Sequence, residues 1–343
     1  MRHTSLVMVG FGSVGRAFVR LLLRKQAALQ SDYGFTFQVN GIATARRGAA
    51  IDPAGLDLER VLERLESGGN LDGFSTLPAP QDTLEFIRAW PGDVLLENTP
   101  VNHHSGQPAL DHLRAGLERG MHALTANKGP VVHGLAELSA LAQRQGRRFL
   151  FESAVMDGAP IFSLFRGPLP AADLRGFHGI LNSTTNLVLE QMEQGSSFAE
   201  AVAFCQRAGL AETDPSADID GWDAAIKVCA LANVLMGAHI LPAQVEREGI
   251  RAITPEQIAA ARAAGQRWKL VCSAVRAGEA IQARVAPQRV SADSRLYTIN
   301  GSSSYVEFAL DVLPGLGIVE SDPGPETTAY GLLADLINAL RGM

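Results

Sequence analysis

Of the 30 basic residues in this 343-residue chain only four are lysines: Lys25, Lys128, Lys227 and Lys269. Arginine stays protonated near neutral pH and neither takes nor gives a proton there, whereas a lysine whose pKa is lowered does both. Lys227 closes the segment Glu212-Thr213-Asp214-Pro215-Ser216-Ala217-Asp218-Ile219-Asp220-Gly221-Trp222-Asp223-Ala224-Ala225-Ile226-Lys227, in which five carboxylates fall within twelve residues. Asp223 and Lys227, four apart, share one helical face, so a plain ion pair explains part of the pattern. Asp218 or Asp220 could cap the helix that follows and complement its dipole. A cap needs one carboxylate, however, and Val228–Ala232 beyond the lysine reads as buried helix. A partly buried lysine beside carboxylates can exchange protons, and the carboxylates can grip an ammonium group. An amino-acid-like substrate fits that arrangement better than a purely anionic one.

Lys128 lies in Thr125-Ala126-Asn127-Lys128-Gly129-Pro130. A solvated surface turn is the alternative, but the segment follows a strand of a predicted parallel sheet, at the carboxyl end where ligands bind in such folds. A third cluster is Gly10-Phe11-Gly12-Ser13-Val14-Gly15. The first glycine suits a tight turn, the second lets a pyrophosphate approach the backbone, and the third lets helix and strand pack closely. The N–H groups and dipole of the following helix would hold the phosphates. The second strand ends in Ala43-Thr44-Ala45 before Arg46-Arg47, with no carboxylate for ribose hydroxyls. Two arginines there favour the extra phosphate of NADP, with NAD still open and a solvated arginine loop as the alternative.

The elements that would position these groups follow from periodicity. Strands are predicted at 5–10, 35–43, 93–97, 121–125 and from 149, alternating with helices at 16–24, 56–65, 108–119 and 134–145. Strand alternating with helix predicts an α/β fold with a Rossmann-type, doubly wound parallel sheet over residues 1–150. Helices at 199–208 and 223–236 and strands at 280–285, 296–299 and 304–310 predict an α+β substrate and dimerisation domain over 151–315, with an antiparallel sheet. An apolar helix at 327–340, within a terminal segment 316–343, is expected to return to the first domain.

Composition narrows the function classes. A chain 46% hydrophobic and 19% charged is globular, and a net charge of −6 argues against generic nucleic-acid binding. No apolar run reaches the length of a membrane span, and the start carries no signal-peptide core. Cys205, Cys229 and Cys272 are few, odd in number and far apart, as expected of reduced thiols in a cytoplasmic protein.

Taken in order, Gly10–Gly15, Thr125-Ala-Asn-Lys128, Phe151-Glu-Ser-Ala-Val155 with Gly158-x-Pro160, Gly179-Ile-Leu-Asn-Ser-Thr-Thr-Asn186, and Ala211-Glu-x-Asp-Pro215 through Lys227 resemble homoserine dehydrogenase over most of the chain. The resemblance implies interconversion of L-homoserine and L-aspartate 4-semialdehyde with NADP or NAD, on the route to threonine, methionine and isoleucine. It implies Lys227 as general acid/base and Lys128 as a second site lysine near nicotinamide and substrate. It makes Glu212 and Asp223 the ammonium-binding carboxylates, beside Asp218, with Asn182 and Thr184 lining the substrate pocket. Thr99 becomes a cofactor contact beside Gly10, Phe11, Gly12, Ser13, Val14 and Gly15. It further implies a monovalent cation such as sodium, held largely by backbone oxygens at Glu152, Val155, Asp157 and Ala159, and a homodimer. The chain departs from many relatives at Val155-Met156-Asp157-Gly158, where they carry small residues and glycines. Its C-terminal glycine-rich loop is reduced to Asp322–Glu326, and its end predicts no threonine-sensing ACT domain. A related oxidoreductase on another amino alcohol, or a catalytically silent nucleotide sensor, are the rival readings.

Overall fold

The computed structural model describes residues 1–78, 80–90 and 92–341. Residues 342–343 of the expected terminal segment therefore lie outside the described residues. The chain forms two compact units, Met1–Pro160 with Gly324–Met343, and Ile161–Pro323.

In the first unit the order is β1 (Arg2–Val9), α1 (Ser13–Ser31), β2 (Phe35–Ala43), β3 (Ala49–Ile51), α2 (Leu58–Glu66), α3 (Thr83–Ala89), β4 (Val94–Glu97), α4 (Ala109–Glu118), β5 (His122–Thr125), α5 (Lys128–His133), α6 (Leu135–Arg144) and β6 (Phe149–Leu150). The strands form one sheet in the order β3-β2-β1-β4-β5-β6, parallel except where β3 runs antiparallel to β2. The uninterrupted apolar run Leu6–Val9 is what a strand covered on both faces requires, and all four residues are buried. Between β1 and β4 the connection reverses direction across the sheet, leaving a crevice at the carboxyl ends of those two strands.

The second unit runs α7 (Ile161–Arg166), β7 (Leu174–Ile180), α8 (Ser183–Glu193), α9 (Phe198–Arg207), α10 (Ser216–Ile219), α11 (Trp222–Met236), β8 (Glu246–Arg247), α12 (Pro255–Ala263), β9 (Gln266–Ala277), β10 (Ala280–Ser291), β11 (Ser304–Leu310) and β12 (Leu316–Glu320). Its sheet, ordered β12-β11-β7-β9-β10-β8, is antiparallel apart from the short β8 beside β10. The strand expected at 296–299 is instead a single 3₁₀ turn, Arg295–Thr298. Leu296 and Ile299 are both buried in one cluster with Ile180, Val271 and Tyr305. Residues three apart share a side in a 3₁₀ turn and oppose one another in a strand, so burying both selects the turn.

The last helix, α13 (Pro325–Arg341), belongs to the first unit. Its Leu332, Leu333 and Leu336 join Phe18 and Leu22 of α1 in the main core of that unit. No helix among the described residues is long and apolar enough to cross a membrane.

Candidate active site

The crevice of the first unit is built around Gly10, where β1 ends. Gly10 adopts φ +87°, and a Cβ there would fall 2.5 Å from Asn98 O. Gly12 opens on empty space, with nothing within 4 Å of where its Cβ would be, and a Cβ on Gly15 would lie 3.0 Å from Gly10 O. Gly10 and Gly15 thus have separate steric reasons, whereas Gly12 leaves free space beside the helix start. Gly12 caps α1 without a side-chain hydrogen bond, so the N–H groups of Ser13, Val14 and Gly15 have no intrahelical partner. Phe11 is buried, Val14 half-buried and Ser13 exposed. Open space over a glycine at a bare helix N-terminus fits a dinucleotide's pyrophosphate. Across the crevice, Asn98 Nδ2 and Oδ1 are buried and without a hydrogen-bond partner among the described residues, as a polar ligand edge would require.

Past β2, the Arg46 side chain is exposed while Arg47 is half-buried. Arg47 donates to the main-chain oxygens of Leu65 and, at 3.4 Å, Gly69. Its guanidinium therefore binds the end of α2, leaving Arg46 as the arginine turned to solvent.

Thr99 is organised by a carboxylate that sequence reasoning passed over. Glu97, the last residue of β4, is fully buried. Its Oε1 accepts hydrogen bonds from the N–H, at 2.9 Å, and the hydroxyl of Thr99, and its Oε2 accepts from Thr125 Oγ1 at 3.0 Å. Asn127 caps α5 through Oδ1, accepting from Gly129 N at 2.9 Å, and its Nδ2 donates to Thr99 O at 3.1 Å. Glu97, Thr99, Asn127 and the first residue of α5, Lys128, thus form one connected edge. The visible signal was a lone charged residue closing an apolar strand, Val94-Leu-Leu-Glu97.

The proposed cation segment lies in the same unit. Glu152, Val155 and Ala159 are buried. Met156 and Asp157 adopt φ +53° and +43°, conformations costing roughly 1–2 kcal/mol for a non-glycine residue. Glycine would adopt that backbone shape without the cost. Glu152 N donates to Asp335 Oδ2 at 2.7 Å and Thr327 Oγ1 to Asp157 Oδ2 at 3.3 Å, tying the segment to α13. Among the described residues, no group of three His, Cys, Asp or Glu is placed to hold a metal ion.

In the second unit, Asn182 caps α8, its Oδ1 accepting from Thr185 N at 2.8 Å. The other end of the same amide donates to Asp218 Oδ1 at 2.7 Å and Asp223 Oδ2 at 3.0 Å. Lys227 Nζ sits 3.1 Å from Asp223 Oδ2 and donates to Leu181 O at 2.6 Å. Its side chain retains 17% exposure, so the ammonium is reachable but largely enclosed. Burial, then the neighbouring Asp223 charge, raise the Asp218 pKa above the usual carboxylate value, against lowering hydrogen bonds from Asn182 and Thr184. Burial likewise pushes the nearby Cys272 thiol up to about 12, leaving it unreactive as a nucleophile.

The five carboxylates divide by role. Asp218 and Asp223 converge on Asn182. Asp214 accepts from Ser216 N at 3.0 Å in a local turn, and Asp220 pairs with Arg251 at 2.9 Å. Glu212 is exposed, its main-chain oxygen accepting from Gln206. Neither Asp218 nor Asp220 caps α11, because Gly221 occupies the cap at φ +80°, a geometry that favours glycine. Thr184 is buried, its hydroxyl donating to Leu210 O at 2.9 Å. The second unit therefore offers a lysine amine, two acidic groups and an amide in one connected cluster, suited to proton transfer at a substrate oxygen and to holding an ammonium.

Family models agree with both halves. The homoserine dehydrogenase model matches residues 160–337, and the homoserine dehydrogenase NAD-binding-domain model matches 10–152. An NAD(+)-dependent homoserine dehydrogenase of Pseudomonas canavaninivorans is 37% identical, over 98% of this chain and 96% of its own. A homoserine dehydrogenase of Methanocaldococcus jannaschii is 34% identical over 97% of each chain. A hyperthermophilic archaeal homoserine dehydrogenase solved with NADPH superposes with a TM-score of 0.84 at 25% identity, covering 99% of this chain and 98% of its own. Two family models that together cover most of the chain, and relatives matched over nearly the whole length of both chains, agree, and the chain belongs to the homoserine dehydrogenase family of nicotinamide-dependent oxidoreductases.

Proposed function

We propose that Lys227 is the general acid/base in the interconversion of L-homoserine and L-aspartate 4-semialdehyde. The observation that carries this is the placement of Lys227 Nζ beside Asp223, with Asn182 joining Asp223 to Asp218. When bound, the nicotinamide supplies the hydride acceptor or donor. In oxidation, neutral Lys227 takes the proton of the C4 hydroxyl as C4 gives up its hydride; in reduction, protonated Lys227 returns it. Asp223, Asp218 and Glu212 hold the substrate ammonium, and Asn182 and Thr184 line the pocket. Lys128, on α5, is the second catalytic lysine.

Gly10, Phe11, Gly12, Ser13, Val14 and Gly15 hold the pyrophosphate, and Thr99 contacts the cofactor. For cofactor choice we favour NADP, with Arg46 meeting its 2′-phosphate. NAD is the second reading, because Arg47 is engaged with Leu65 and Gly69 and because one relative is named as NAD(+)-dependent. A sodium-like cation on oxygens of Glu152, Val155, Asp157 and Ala159, a homodimer and a cytoplasmic place on the route to threonine, methionine and isoleucine complete the proposal. Initial rates of the purified chain with L-homoserine and either NADP or NAD, read as reduced-nicotinamide absorbance, test it. Saturable turnover with at least one cofactor is expected, and none with either would overturn the reading.

A further inference from the structure

Lys269, the fourth lysine, is 1% exposed in the middle of β9 and has no part in the proposed chemistry. Burying an ammonium is unfavourable unless charge-assisted hydrogen bonds offset it, so its position needs a reason. Its Nζ donates to Asn186 Oδ1 at 2.8 Å and to Ile299 O. Asn186 in turn donates through Nδ2 to Gly301 O at 2.9 Å. One turn further along α8, Glu190 Oε2 accepts from Gly301 N at 2.6 Å. At the helix start, Ser183 Oγ donates to Ser302 O at 2.6 Å.

Asn182, Asn186 and Glu190 are spaced four apart and therefore lie along one face of α8. The first of them holds Asp218 and Asp223; the other two lock the helix to the 299–302 loop. Lys269 is the only one of these groups on the central sheet strand β9, and it grips helix and loop at once. We propose that Lys269 is a positioning residue of the substrate site, fixing α8 so that the Asn182 amide aligns Asp218 and Asp223. The inference rests on the reading of that cluster as the substrate site. The charge environment agrees: burial first, then Arg267 of β9, lower the Lys269 pKa to about 8, while Glu193 and Glu190 of α8 act in the opposite direction.

The test is a double-mutant cycle of Lys269→Met and Asn182→Ala in the full chain, with homoserine KM, kcat and NADPH dissociation constant measured for each. Lys269→Met should raise KM about tenfold with kcat changed less than about threefold and NADPH affinity retained; in the Asn182→Ala background it should add nothing, since coupled residues are non-additive. Should Lys269→Met not fold, Asn186→Ala breaks the same link from the helix side and is expected to give the same cycle. Multiplicative effects, an unchanged KM, or a parallel loss of NADPH affinity would overturn the positioning role alone. A silent Asn182→Ala would instead remove the reading of the cluster, and the positioning role with it.

Discussion

At the scale of single residues, the site depends on how burial and neighbouring charge divide similar carboxylates. Asp218, with its pKa raised by burial and by Asp223, is enclosed, whereas the Glu212 side chain is exposed. Substrate binding that needs ionised Asp218 should therefore weaken, as pH falls, at higher pH than an ordinary aspartate near 3.8 would produce. The sign follows because a raised pKa means the group takes up its proton earlier on acidification. In a pH series of homoserine KM, that acid limb should disappear in Asp218→Asn; an unchanged limb would assign it to another group. Glu212→Ala should act on KM, by about tenfold, and leave kcat nearly intact, the pattern of lost uniform binding. Steady-state kinetics check this, and a fall in kcat with constant KM would contradict it.

Local elements place these residues, and here the sequence was informative to different degrees. The turn and packing glycines of the motif were legible, since Gly10 and Gly15 each answer a steric demand that leaves a mark at fixed spacing. Gly10→Ala should destabilise by about 1–2 kcal/mol through its left-handed backbone alone, and the contact with Asn98 O should also distort the crevice. A large loss of NADPH affinity in a fluorescence titration is expected; unchanged affinity would show that the turn is not needed. The cluster ahead of Lys227 was legible as chemistry but not in its division of labour. Which carboxylates meet depends on Asn182, 36 residues before Asp218, and no local pattern reports a contact that distant. Glu97 was missed because its burial and its link to Thr125, on the adjacent strand, appear only once the sheet is assembled, although Thr99 lies just two residues away. The 3₁₀ turn at Arg295–Thr298 was misread because short apolar runs do not separate strand from turn.

For the molecule as a whole, alternation of strand and helix foretold the parallel sheet, and the change of texture after residue 150 foretold a second unit of different construction. Cofactor choice was less legible, because Arg46 and Arg47 are adjacent and alike in sequence. Only the fold reveals that Arg47 is committed to Leu65 and Gly69. Arg46→Ala should therefore raise the KM for NADP about tenfold, on the scale of one charge-assisted phosphate contact, and leave that for NAD unchanged. Equal effects on both cofactors would remove Arg46 from the phosphate site. The central claim is that Lys227 handles the proton. Its most direct test is kcat for L-homoserine in Lys227→Ala, with NADPH binding measured on the same preparation. Affinity for the dinucleotide should persist while kcat falls by about two orders of magnitude or more, the scale of general acid–base catalysis. Near-normal turnover would contradict the account.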